Sequence, residues 1–330
     1  MLTGIGGEEM KNPNFSSALA PMLYAFWERR NMEGYKNASV YYYLREFDRL
    51  VKDQFNVSVV TKAAVEAWDK QKPYLTNRSK ISRHNMIRSF AAFAFERDGQ
   101  SYVPDTSRIR NTTTFVPYIF SANEIALLLQ AADRIPAHRN APLREIVLPA
   151  AYRLLYCCGF RVSELLRLEK TDMDLDRGVI SVKNGKGGKD RLVPIHDDLI
   201  CYMREYCEKL PEDTQWLFPS ARGHYASGTI YANFRELLAA CNIPHTGHGP
   251  RVHDLRHTFS VHSLEQQLAD GYDPMEILPR LAAYLGHKSY RETCWYLHLT
   301  ISIFPQLSEK LDRVFAGIIP FAGGVEDAKD

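Results

Sequence analysis

No run of about 18 apolar residues occurs in the 330-residue sequence, so a membrane-spanning helix is not expected. The opening MLTGIGGEEMKNPNF does not set a basic segment ahead of an apolar one. A secretory leader is therefore not expected either, and the cytoplasm is the expected compartment. Cysteine is scarce: Cys157 and Cys158 are adjacent, four more are scattered at 201, 207, 241 and 294, and CxxC is absent. Such spacing argues against a disulfide framework and against thiolate-bound zinc, and points to reduced thiols. There is no internal repeat and no low-complexity tract. Net charge is only +2, which by itself selects no partner.

With 45% hydrophobic residues the chain can bury one large core or two medium ones, and two domains are expected. Charge is unevenly spread. Residues 1–115 carry 17 Lys and Arg against 12 Asp and Glu, a net of +5, which leaves −3 for the remainder. Lys70, Lys72, Arg78, Lys80, Arg83 and Arg88 form a stripe with no acid between Lys70 and Phe95. This is the footprint of a face that tracks phosphates, although a solvated helix face has the same composition.

Apolar residues at three- and four-residue spacing predict helices over 15–30, 38–54, 62–71 and 79–99, making a small N-terminal bundle. In the fourth, Ile81, Met86, Ile87, Phe90, Phe93 and Phe95 are expected to face inward, with Lys80, Arg83 and Arg88 turned elsewhere. Residues 98–117 are polar and punctuated by proline, and read as a linker whose Arg108 and Arg110 can touch a polyanion as the chain passes over it. Beyond it, Ser121 and Glu124 make a capping box for a helix, and a second helix ends at Gly159. GVISV and RLVPI flank the glycine-rich KNGKGGKD, the pattern of a β-hairpin. Helices follow to the end, the last being an amphipathic segment with Leu307, Leu311, Val314 and Phe315 on one side. The expected fold class is mainly α with a small β-hairpin: a helical bundle over 1–115 and an α+β domain over 118–330. About fourteen residues precede the first helix, so no further folded domain is expected before it.

HTGHGPRVHDLRHTFSVH holds five of the eleven histidines and raises the question of a metal. His253 and His257 have the i, i+4 spacing of a zinc helix, but Arg256 lies on the same face. A permanent cation beside a dication is unfavourable, whereas a guanidinium fork and an imidazole suit an oxyanion. Phosphate is the favoured ligand. Asp254 is free to orient a histidine or cap the helix, and His262 is expected to be structural.

CCGFRVSELLRL, VKNGKGGKDRLVPI, HDLRHTF and LGHKSYRETCWY, in this order, resemble the catalytic boxes of the tyrosine recombinase (phage integrase) family. The resemblance covers residues 118 to about 310 and implies Arg161, Lys186, His253, Arg256, His287 and Tyr296 as the catalytic set. It implies that the N-terminal bundle is a SAM-like core-binding domain. It further implies cutting and rejoining of duplex DNA through a 3′-phosphotyrosyl intermediate, with no metal or other cofactor, by a homotetramer on two sites. Tyr296 would attack phosphorus, Arg161 and Arg256 would grip the non-bridging oxygens, and Lys186 would protonate the leaving 5′-oxygen. His253 would assist proton handling at Tyr296, and His287 would hydrogen-bond the phosphate. Lys189 and Arg191 are read as DNA contacts, with Lys189 the alternative to Lys186 as acid. Glu164 is expected to partner an arginine. Mobile-element integration and excision is the expected role. Xer-like resolution of chromosome dimers, type IB topoisomerase-like relaxation, non-catalytic DNA binding and a metal-dependent nuclease are the alternatives.

Overall fold

In a computed structural model the chain divides into two compact units, Met1–Phe115 and Val116–Asp330. The structure describes residues 13–34, 38–106, 109, 116–183, 185, 190–221, 223–246, 249–287 and 290–303. Arg108, Arg110, Lys186, Lys189 and the apolar face expected at Leu307, Leu311, Val314 and Phe315 lie outside these residues. No helix among the described residues is long and apolar enough to cross a membrane.

The first unit contains α1 (Ala20–Met32), α2 (Ala38–Gln54), α3 (Lys62–Lys70) and α4 (Asn77–Asp98). Thr61 and Thr76 cap α3 and α4 by accepting hydrogen bonds from Ala64 N and Ser79 N. Gly99, in the left-handed conformation, ends α4. Leu23, Phe26, Phe47, Trp68, Ile87 and Phe90 anchor the core. The rings of Phe26 and Phe47 meet Phe90 edge-on at 5.6 and 6.3 Å.

Two expectations for α4 are corrected. Phe95 is 50% exposed, whereas Arg83 is 4% exposed. The buried stripe runs through Ile87, Phe90, Ala91 and Ala94, and Arg83 stands one turn before Ile87 on it. Its guanidinium is accommodated by Glu46 Oε2 at 2.7 Å and by the Trp68 ring 3.6 Å beneath it.

The second unit is also mainly helical. It runs α5 (Ala122–Asp133), α6 (Arg144–Cys157), α7 (Val162–Leu165), β1 (Met173–Asp174), β2 (Val179–Val182), β3 (Arg191–Pro194) and α8 (Asp197–Glu208). There follow β4 (Pro219–Ser220), β5 (Gly223–His224), α9 (Ser227–Ala240), α10 (Val252–Ala269), α11 (Pro274–Leu285) and α12 (Tyr290–Ile303). The expected hairpin is β2–β3, paired antiparallel with Ile180 opposite Val193. β1 extends it to three strands, and β4–β5 forms a second small ribbon; both were too short to leave a periodic signal. The Ser121–Glu124 capping box is formed.

α6 and α10 pack together at the heart of this unit, and α10, α11 and α12 share a smaller apolar cluster around Leu264, Leu281, Leu285 and Leu297. The backbone N–H of Phe120, at the start of the unit, donates to Thr258 Oγ1 in the middle of α10 at 3.1 Å. This ties the unit's first segment to the helix that carries Arg256.

Phe90 is the ring that joins α1, α2 and α4. Phe90→Ala should lower the unfolding free energy of the first unit by about 3–5 kcal/mol, measured by urea denaturation.

Candidate active site

Glu164 sits on α7 with 3% of its surface exposed, surrounded by arginines from three segments. Arg161 Nη1 donates to Oε1 at 2.6 Å. Arg191, from β3, makes a fork with Nη1 to Oε1 at 3.2 Å and Nη2 to Oε2 at 2.9 Å. Arg256, from α10, brings Nη1 within 4.0 Å of Oε2. Burial alone would raise the Glu164 carboxyl. The Arg191 hydrogen bonds and the Arg191 and Arg161 charges outweigh it and hold the pKa down to about 2.

Arg256 is 2% exposed, yet its guanidinium is solvated by protein. Nη1 donates to Gly159 O at 2.6 Å and Nη2 to Leu285 O at 2.7 Å. Those carbonyls use two of its five N–H groups. Burial, then the Arg161 charge, lowers its pKa to about 10, so it remains a cation at neutral pH. Both carbonyls belong to helix-end turns that require glycine. Gly159 has φ +59°, and a Cβ there would meet Phe259 Cδ1 at 2.6 Å. Gly286 has φ +64°, and a Cβ there would meet the Arg191 side chain at 3.2 Å.

α10 also carries the histidines. Asp254 accepts from Arg251 N at 2.8 Å and Arg251 Nη2 at 3.1 Å, and so caps the helix start. His253 keeps one side open to solvent. The packed floor beneath it, then the charges on Arg256, Arg161 and Arg251, push its pKa down to about 4. His262 is a structural partner of Tyr156, whose hydroxyl lies 3.0 Å from His262 Nδ1. Among the described residues no group of three or more His, Cys, Asp or Glu side chains is placed to hold a metal ion.

Tyr296, on α12, is 3% exposed. Its hydroxyl lies 2.9 Å from His257 Nδ1. Burial raises its pKa, while Arg256, Ser260 and Arg161 act in the opposite direction. His287 stacks on the phenol at 5.9 Å with rings 10° from parallel, and its Nδ1 lies 2.8 Å from Thr293 Oγ1. Thus Arg161, His253, Arg256, His287 and Tyr296 converge, although they come from α10, from α12 and from the turns before α7 and α12. His257 was named in the sequence only as half of a zinc pair and given no role. The spacing that suggested the metal, four residues after His253, also places it on the site-facing side of α10.

Other expected contacts are placed differently. Arg191, expected on DNA, is turned inward: beyond Glu164, its Nε donates to Tyr284 O at 2.8 Å. In the first unit Lys70 and Arg78 are exposed, while Lys80 and Arg88 are half-buried. Arg83 is inside the bundle, and Lys72 is paired with Glu46 and with the Tyr42 hydroxyl at 3.2 Å. The stripe of six cations therefore does not form a single open face. Sequence alone did not show this, because Glu46 lies on a different helix.

Guanidiniums fixed beside a phenol are an arrangement that can hold an anion. The family model described as the phage integrase family matches residues 119–302, over half of the chain, and the protein belongs to that family. The putative integrase/recombinase y4rB of Sinorhizobium fredii is 27% identical over 308 residues, spanning 90% of this chain and 98% of its own. A second protein of that organism, y4rE, is 32% identical over 239 residues, with 70% of this chain and 76% of its own covered. The tyrosine recombinase XerA of Thermococcus kodakarensis is 34% identical over 195 residues, covering 59% and 63%. Among solved structures, XerH bound to its difH substrate before cleavage superposes with a TM-score of 0.61 at 18% identity, over 90% of this chain and 84% of that one. A lambda integrase dimer on a core site gives 0.56 at 21% identity, over 82% and 96%. The fold is that of tyrosine recombinases, enzymes that cut and rejoin DNA.

Glu164→Gln should expose the charge balance of the site. A carboxyl held below its ordinary 4.5 contributes stability that is present above pH 4.5 and lost as pH falls through about 2. The difference in urea unfolding free energy between wild type and Glu164→Gln should be largest above pH 5 and shrink steadily toward pH 2.

Proposed function

We propose that this protein is a site-specific recombinase that cuts and rejoins duplex DNA through a 3′-phosphotyrosyl intermediate, with Tyr296 as nucleophile. The observation that carries this reading is the buried Tyr296 hydroxyl, held within the field of Arg256 and Arg161 in the same subunit. In the first step Tyr296 Oη bonds to phosphorus and the bond from phosphorus to the 5′-oxygen breaks. Lys186 gives a proton to that oxygen, with Lys189 the alternative donor. Arg161 and Arg256 stabilise charge on the non-bridging oxygens, His253 handles the phenolic proton, and His287 donates to the phosphate. In the second step a 5′-hydroxyl of another strand attacks phosphorus and the Tyr296 ester bond breaks. The phosphodiester energy is conserved in that ester, so the reaction needs neither metal nor nucleotide.

Duplex DNA is the substrate, and a homotetramer on two sites supplies four nucleophiles. The first unit is the core-binding domain. Lys70, Arg78, Lys80 and Arg88 are its candidate phosphate contacts, with Arg108 and Arg110 following along the chain. Integration and excision of a mobile element is the favoured role, supported by likeness to relatives described as putative integrase/recombinases across most of this chain. Similarity to XerA keeps dimer resolution as the second reading.

A nicked suicide duplex bearing the sequence that the protein enriches from a random pool provides the test. Wild type should form a covalent adduct, EDTA should leave its yield unchanged, and Tyr296→Phe should abolish it. An adduct with Tyr296→Phe, or loss of cleavage in EDTA, overturns this mechanism.

A further inference from the structure

One hydrogen-bond partner of the Tyr296 hydroxyl lies outside the six residues assigned to the reaction. His257 Nδ1 lies 2.9 Å from it. The imidazole is fixed by its surroundings: His253 meets it edge-on at 4.8 Å and Trp295 at 5.5 Å. Tyr296 is fixed on another side by the parallel His287 ring. Both partners are therefore held by packing before they meet, and the hydrogen bond costs little additional ordering.

Burial keeps both partners of that bond neutral. His257 faces His253, Arg251 and Arg256 along α10, His287 from the turn before α12, and the phenol from α12. Burial, then His253, Arg251, Arg256 and His287, pushes its pKa down to about 3. The ring is neutral at working pH, and with its proton on Nε2 it presents Nδ1 as an acceptor. The phenol, raised by burial, keeps its proton and donates. The O–H rotor is then held toward His257, and the oxygen lone pairs are left for Arg256 and Ser260, which also hydrogen-bond the phenol.

Resting on the reading of Tyr296 as nucleophile, we propose that His257 is its positioning residue, holding the phenol oxygen for attack by accepting its hydrogen at Nδ1. His257 thus orients the hydroxyl before reaction, and His253, one turn earlier, keeps its part in handling the phenolic proton during attack.

Two variants separate this from a packing role. H257F keeps an aromatic ring against His253 and Trp295 but removes the acceptor. H257N is smaller, yet sets an amide oxygen near the place of Nδ1. The readout is the single-turnover rate of adduct formation at saturating enriched duplex, with DNA affinity measured separately. H257F should react about tenfold or more slowly with affinity unchanged, and H257N should recover most of that loss. A wild-type rate for H257F, or an H257N no faster than H257F, overturns the proposal. Tyr296→Phe in the same assay reports on the nucleophile alone, so an adduct there rejects that reading instead. A DNA-free measurement stands apart from both. In protein labelled with 15N-histidine, Tyr296→Phe should shift the His257 Nδ1 resonance, and an unmoved resonance also overturns the proposal.

Discussion

One buried carboxylate permits the site to exist. Arg161, Arg191 and Arg256 repel one another, and Arg256 is almost wholly removed from water. Glu164 lies among all three and is kept ionised by them. A carboxylate and several guanidiniums taken out of water together cost far less than any of them alone. The cluster still carries more positive than negative charge, and that excess is what an anionic ligand would meet. Glu164 thus sets how much cationic field is left unneutralised, besides setting where the guanidiniums sit.

The second constraint is backbone geometry. Arg256 reaches its place by donating to two carbonyls, one in the turn after α6 and one at the end of α11. Both turns depend on left-handed glycines pressed closely by side chains of the site's own supports, Phe259 at Gly159 and Arg191 at Gly286. The arginine is therefore aimed by main-chain dipoles, which cannot swing aside as side-chain partners can. Preorganisation of this kind is what electrostatic stabilisation of a crowded phosphorus requires.

Much of this was legible in the sequence because it is written in local patterns. Helical periodicity marked the helices of both units, and the capping pair at Ser121 and Glu124 marked a start that the structure bears out. Arginine in the histidine segment argued for an oxyanion, and Arg256 does stand beside Arg161 and Tyr296. What stayed hidden depends on partners distant in sequence. Arg83 and Arg191 look like any exposed cation until Glu46 and Glu164 are seen beside them. Phe95 looked apolar enough to be buried, but the helix phase set by Ile87 and Phe90 turns it outward. His257 was in view but unassigned, since nothing in the spacing says that a tyrosine 39 positions later will lie against it.

The hydrogen bond from Phe120 to Thr258 spans 138 positions, nearly the length of the second unit between its first segment and α10. A chain emerging from the ribosome makes Arg161, Glu164 and Arg191 well before Arg256, and the phenol after all of them. The early arginines can settle on the acid while the helix that completes the grip does not yet exist. A nascent chain therefore holds the early arginines and their carboxylate before Arg256 and the phenol can join them, and the cluster is completed only once α10 and α12 have been made and folded.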